Sequence, residues 1–205
     1  MKNSISNDLR QKAAREAALL LYTQQEKEYK QAKVRAAKSL GINFLPNNRE
    51  IAEQLDLLAE EVEGEERKRR LIEMRHEALK IMKILKNFHP KLVGSVWRGT
   101  INKNSDIDIT VFHSEPEKIL KTLENFGYKP KRIERQSFAR KGIEKTSFHI
   151  FLTVSNYEVE IVVKPEEEIE KVEFCEIYGD KITGLGIKEL EKVLRNNPLK
   201  RFVPK

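Results

Sequence analysis

The sequence predicts an α+β protein, and three observations carry that class. Helical periodicity fills residues 1–88 with no chemistry-bearing motif. Past Lys91 the texture changes to short alternating apolar runs. Two of these, SFHIFLTV and YEVEIVV, flank Ser155-Asn156 and read as an antiparallel hairpin closed by Pro165. Helices followed by strands divide the chain into an amphipathic helical region over 1–88 and a mixed domain over 89–205 with a short helical extension.

The elements follow in order. Residues 8–39 read as one long helix, rich in Ala, Leu, Gln, Lys and Glu, with neither Pro nor Gly before Gly41. Ala14, Ala17, Ala18, Leu21 and Tyr22 form its stripe. Asn47 caps the next helix, with Glu50 completing a capping box and Ile51, Leu55, Leu58 and Val62 at helical spacing. Gly64 interrupts. A third helix runs from Glu65 to Phe88 with Leu71, Met74, Ala78, Met82 and Leu85 on one face, and Pro90 stops it. Leu92-Val93 lead into a Gly94-Ser95 turn and a short helix over Val96–Thr100. Asp106–Phe112 alternate as a half-buried strand. Ser114 caps a helix with Glu117 as its box partner and Pro116 in its first turn, ending at Gly127. Arg132–Arg140 forms another strand, and a last helix spans Ile187–Arg195.

Composition bounds the function. A formal net charge of +7 suits a polyanionic partner (nucleic acid, a nucleotide or an acidic membrane face) and equally a basic protein with no such partner. Cys175 is the only cysteine, which excludes an intrachain disulfide and fits a reducing, cytoplasmic compartment. No apolar run has membrane-spanning length, and the N-terminus lacks a signal-peptide cleavage pattern, so no membrane role is expected.

The chemistry concentrates in GSVWRGTINKNSDIDITVF, residues 94–112. Side chains at i and i+2 of a strand share a face, so Asp106 and Asp108 project together while Ile107 and Ile109 enter the core. Two adjacent carboxylates resist joint ionisation, and a divalent cation relieves that conflict. Oxygen ligands at this spacing suit Mg²⁺. A two-residue turn at Ser155-Asn156 pairs Phe151 with Glu160, a second acid set among apolar strand residues. Glu158 shares its face nearer the turn and ranks behind it. The same register puts His149 on the face of Glu160, where it touches a phosphate or orients a ligand, or serves as a structural histidine. Gly94 lets backbone approach a phosphate, Ser95 offers its N–H and hydroxyl, and Arg98 offers a forked contact. In this reading Ser95 and Arg98 grip the β and γ phosphates.

These residues resemble the signature of the polymerase-beta-like nucleotidyltransferase superfamily: Gly-Ser, a spacer, Asp-x-Asp on a strand, and a third acid on a later strand. GSVWRGT with SDIDI is most similar to the archaeal-type (class I) CCA-adding tRNA nucleotidyltransferases. VEIVVKP is similar to their third-carboxylate strand, with Glu160 where Asp is usual. The resemblance covers residues 88–165. It implies a palm: a small mixed β-sheet with helices packed on one side. It makes Gly94, Ser95, Arg98 and, less directly, His149 nucleotide-binding residues, and Asp106, Asp108 and Glu160 both catalytic and metal-binding.

The activity it implies is transfer of a nucleoside monophosphate from a triphosphate such as ATP to an acceptor hydroxyl, with two Mg²⁺ ions for which Mn²⁺ can substitute. An RNA 3′ end is the expected acceptor, and a protein hydroxyl or a small molecule the alternative. A non-catalytic nucleotide- or RNA-binding module is the rival class. The N-terminal helices fit a lid, an acceptor platform or a homo-oligomer interface.

Overall fold

A computed structural model describes residues 2–140 and 143–204. Three helices open the chain: α1 (Lys2–Tyr22), α2 (Tyr29–Ser39) and α3 (Asn48–Ile84). Then follow β1 (Lys91–Val93), α4 (Gly94–Arg98), β2 (Ile107–Phe112), α5 (Pro116–Asn125), β3 (Arg132–Arg140), β4 (Ile143–Val154), β5 (Tyr157–Lys164) and α6 (Ile187–Asn196). The sheet order is β1-β2-β5-β4-β3. Only β2 and β5 run parallel; the other neighbours are antiparallel, so the sheet is mixed. The class is the expected α+β palm with helices ahead of it.

Two sheet faces have opposite fates. Ile107, Ile109 and Val111 of β2, with Val159, Ile161 and Val163 of β5, are almost wholly buried. They pack with Leu71, Met74, Ala78, Ile81 and Met82 of α3, and with residues of α5 and α6, in one core cluster. The alternate residues, Asp106, Asp108, Glu158 and Glu160, lie on the other face, as period-two alternation requires.

The helical region departs from expectation in three places. The single helix over 8–39 is two helices, broken near Gln24, whose φ is 57°. No breaker residue marks the spot. The break lets Ala14, Ala17 and Ala18 of α1 meet Ala32 and Ala36 of α2 in a second cluster, all at most 1% exposed. An unbroken rod would keep those alanine faces apart. Val62, placed on the apolar stripe, is 62% exposed. Gly64 bends α3 rather than ending it, at φ 50° and ψ −126°. Past that bend α3 belongs to the core under the sheet, so the region expected over 1–88 lends Leu71 to Phe88 to the palm.

The Asn47–Glu50 capping box forms as expected. The Ser114 cap does not: Glu115 is the cap residue of α5, and its N–H donates to His113 Nδ1 instead. The hairpin register matches, with Val154 opposite Tyr157 and Phe151 opposite Glu160. Ser155 and Asn156 both have positive φ, at 52° and 86°, the geometry a tight two-residue hairpin turn needs.

A C-terminal strap completes the fold. The fully buried Arg75 of α3 donates to the carbonyls of Val96 and Trp97 on α4 and of Pro198 and Lys200 on the strap. Arg98 donates to Phe202 O, and Arg49 to Pro204 O. Among the described residues, no helix is long and apolar enough to cross a membrane.

Candidate active site

The site is built where β1 hands the chain to α4 beside the start of β2. Gly94 has φ +67°. A Cβ there would stand 2.7 Å from Asp108 Cγ and overlap the carboxylate. Glycine is required twice over, by the backbone angle and by the close approach of turn and acid. Gly99 closes α4, and the N–H groups of Gly99 and Thr100 both donate to Ser95 O.

Parallel pairing sets Asp108 directly beside Glu160, and Val93 lies on its other side. Ligand atoms of Asp106, Asp108 and Glu160 all lie within 4.8 Å of one another. Burial raises the pKa of Asp106, and the charges of Glu160 and Glu158 add to it. Burial raises that of Asp108 much further, with Asp106 and Glu160 adding to it. Among the described residues, neither aspartate has a cationic ion-pair partner. Oxygen donors, partial desolvation and unrelieved repulsion fit a hard divalent cation.

Glu158 stays out of this cluster. Lys131 Nζ and Thr153 Oγ1 bond its carboxylate, and the Lys131 hydrogen bond lowers its pKa. His149 reaches Glu160 itself, Nδ1 to Oε1 at 2.5 Å, while Nε2 is 2.7 Å from Ser147 Oγ. Both ring nitrogens are thus engaged, and the imidazole holds the carboxylate in place.

Arg98, expected to grip phosphate, lines the cavity beside the turn and is also engaged by protein groups. It is 5% exposed, with its guanidinium between the rings of Trp97 and Tyr178, 4.5 and 4.7 Å away. Its terminal nitrogens bond both oxygens of Asp180, at 2.7 and 3.2 Å, and Phe202 O. The guanidinium fastens α4 to the strap and to the segment before α6. Sequence reasoning missed Asp180 because nothing local links YGD to a motif 80 residues earlier.

A cavity of about 240 Å³ abuts the turn. Gly94, Ser95, Arg98, Thr100, Asn102 and Ser105 form one side of it. Tyr29, Ala52 and Leu55 of the helical region, with Cys175, Ile177 and Tyr178, form the rest. Tyr29 and Tyr178 gave no sequence signal at all. A larger cavity of about 520 Å³ lies at the opposite ends of β2 and β5, among His113, Lys164 and Arg135, away from the acids.

A family described as nucleotidyltransferase domain matches residues 80–182, just over half of the chain and the segment that holds all these acids. No curated protein matches the chain. Among solved structures, Cid1 poly(U) polymerase bound to MgATP is 19% identical with a TM-score of 0.31, over 46% of this chain and 32% of that one. A cytoplasmic RNA terminal U-transferase is 20% identical with a TM-score of 0.30, over 54% and 35%. Cid1 with its short product ApU is 20% identical with a TM-score of 0.30, over 55% and 37%. The chain thus matches about a third of the length of each structure.

Proposed function

The chain belongs to the nucleotidyltransferase domain family, and on that premise we propose a nucleotidyl transfer reaction. A nucleoside triphosphate gives its nucleoside monophosphate to an acceptor hydroxyl, and pyrophosphate leaves. The observation that carries the reading is the convergence of Asp106, Asp108 and Glu160, from two parallel strands, beside a turn that only glycine can make.

The donor set fits Mg²⁺, which Asp106, Asp108 and Glu160 would hold. Bound there, the ions would neutralise phosphate charge and ease deprotonation of the attacking hydroxyl. The remaining work falls to the chain. Gly94 brings backbone close to the phosphates, and Ser95 offers its N–H and hydroxyl to their oxygens. Glu160, fixed by His149, accepts the proton of the acceptor hydroxyl as it attacks the α phosphate. Arg98 keeps α4 seated through Asp180 and the strap. Rate enhancement comes mainly from positioning and electrostatic stabilisation.

For the acceptor, the +7 charge and the likeness of GSVWRGT with SDIDI to the CCA-adding enzymes support an RNA 3′ end. The test is incubation with each labelled triphosphate, Mg²⁺ and total RNA. Label is expected in RNA, with a loss of about 10³-fold or more in Asp106→Asn and Asp108→Asn, the scale for removing an electrostatic stabiliser. Turnover retained in both variants would remove the proposal. Label in protein or a small molecule instead would reassign the acceptor.

A further inference from the structure

The cavity against the Gly94-Ser95 turn is partly walled from outside the matched domain. Tyr29 of α2 and Ala52 and Leu55 of α3 all precede residue 80. Five hydroxyl-bearing residues line it, and Ser105 Oγ already accepts from Asn102 N–H, which leaves Tyr29, Ser95, Thr100 and Tyr178. Among the described residues, none of these four hydroxyls has a hydrogen-bond partner. None of these hydroxyls is fully buried, so each is open to the cavity, where a ligand's acceptor oxygens can replace water.

The cavity's size and place narrow the ligand. At about 240 Å³ it is smaller than the roughly 300–1,000 Å³ of sites that take a whole small molecule. It has room for part of a nucleotide. Ser95 and Ser105 line it, and Ser105 precedes Asp106, so it adjoins the acids on the side of the phosphate turn. Burial lifts the Tyr29 phenol to about 12 and raises that of Tyr178 as well, so both stay neutral donors at physiological pH. The ring of Tyr29 packs on the alanine cluster of α1 and α2, which fixes its position.

With the phosphates at the glycine turn as proposed above, we infer that Tyr29, from outside the matched domain, donates a hydrogen bond to the terminal phosphate across this cavity, opposite Tyr178. The inference rests on the nucleotidyl-transfer reading and deepens it. It gives the helical region a task in substrate capture: α2 supplies the far wall of the pocket whose near wall is the glycine turn. Recognition at this end is blind to the base and counts phosphates.

The experiment compares wild type, Tyr29→Phe and Tyr178→Phe by calorimetric titration in excess Mg²⁺ with ATP, GTP, CTP, UTP and inorganic tripolyphosphate. Phenylalanine keeps the ring, so unchanged unfolding temperatures confirm folding. Tyr29→Phe is expected to weaken every triphosphate that wild type binds, and tripolyphosphate with them, by about tenfold, the scale of one hydrogen bond to a charged group. Equal binding by Tyr29→Phe and wild type overturns the inference. A loss confined to one base, with tripolyphosphate unaffected, also overturns it by assigning the cavity to the base. If wild type binds a triphosphate and Asp108→Asn does not, the acidic-site reading survives whatever Tyr29 shows. If wild type binds none, that reading and this inference fall together.

Discussion

At the scale of single residues, the site is held in tension by its own charges. Burial and mutual repulsion raise the pKa values of Asp106 and Asp108 in the fold above their unfolded values. For such groups the associated stability is present below the unfolded pKa and is lost as pH rises through the raised folded pKa. The metal-free protein should therefore lose stability as pH climbs from acid toward neutral, and Asp108→Asn should flatten that loss. Thermal unfolding across pH in a chelator checks this. Each kcal/mol of relief is worth about 2–4 °C in a chain of this size. A variant no more stable than wild type at neutral pH would show that the repulsion is already relieved. Gly94 makes a second case. Gly94→Ala puts a methyl into the Asp108 carboxylate and strains a positive φ by about 1–3 kcal/mol. It should abolish Mn²⁺ binding, read by calorimetry, while circular dichroism still reports a folded chain.

At the scale of elements, legibility in the sequence follows the range of the interaction that decides the outcome. The β4–β5 register, the Asn47–Glu50 box and the alternation that sets Asp106 beside Asp108 depend on neighbours within a few residues, and each reads directly from the chain. The break between α1 and α2 depends on alanine faces meeting across a link, and local propensity gives no sign of it. The partners of Arg98 lie 82 and 104 residues away, so its motif position told nothing of its engagement. The strap is the least legible element. It has no regular structure past α6, yet the buried Arg75 and Arg98 reach three of its carbonyls and the more exposed Arg49 a fourth. Arg75 satisfies two of them and two on α4, with its pKa lowered to about 10 by burial. Arg75→Met keeps the bulk but removes every donor, and should cost about 3–5 kcal/mol, because carbonyls in the interior lose hydrogen bonds to a charged group worth about 1.5–3 kcal/mol each. Urea unfolding measures it. A cost below 1 kcal/mol would mean that water replaces the guanidinium at those carbonyls.

At the scale of the whole molecule, the question is whether the helical region and the palm are two units or one. The sequence divides them at residue 88 by texture, but the contacts cross that line repeatedly. α3 lies in the alanine-lined region before Gly64 and in the sheet core after it. Arg67 donates to Ile101 O, Asn104 to Tyr22 O, and Tyr157 to Glu73, each spanning the two parts. Arg49 holds the end of the strap, and Tyr29 walls the cavity at the phosphate turn. Shared core and shared polar contacts couple the two parts' unfolding free energies, so the chain should unfold in one transition. The single Trp97 sits at the junction of α4 and the strap, and its fluorescence reports the palm. Far-UV circular dichroism is dominated by the long helices. The two signals should fall together in urea, at one midpoint, as two-state behaviour demands. Gly64→Ala strains the φ 50°, ψ −126° bend through which the coupling passes, and should lower that common midpoint by about 1–3 kcal/mol of stability without splitting it. If instead the helical signal melts first and tryptophan fluorescence later, α2 is an independent lid. The cavity wall at Tyr29 would then open without disturbing the acids.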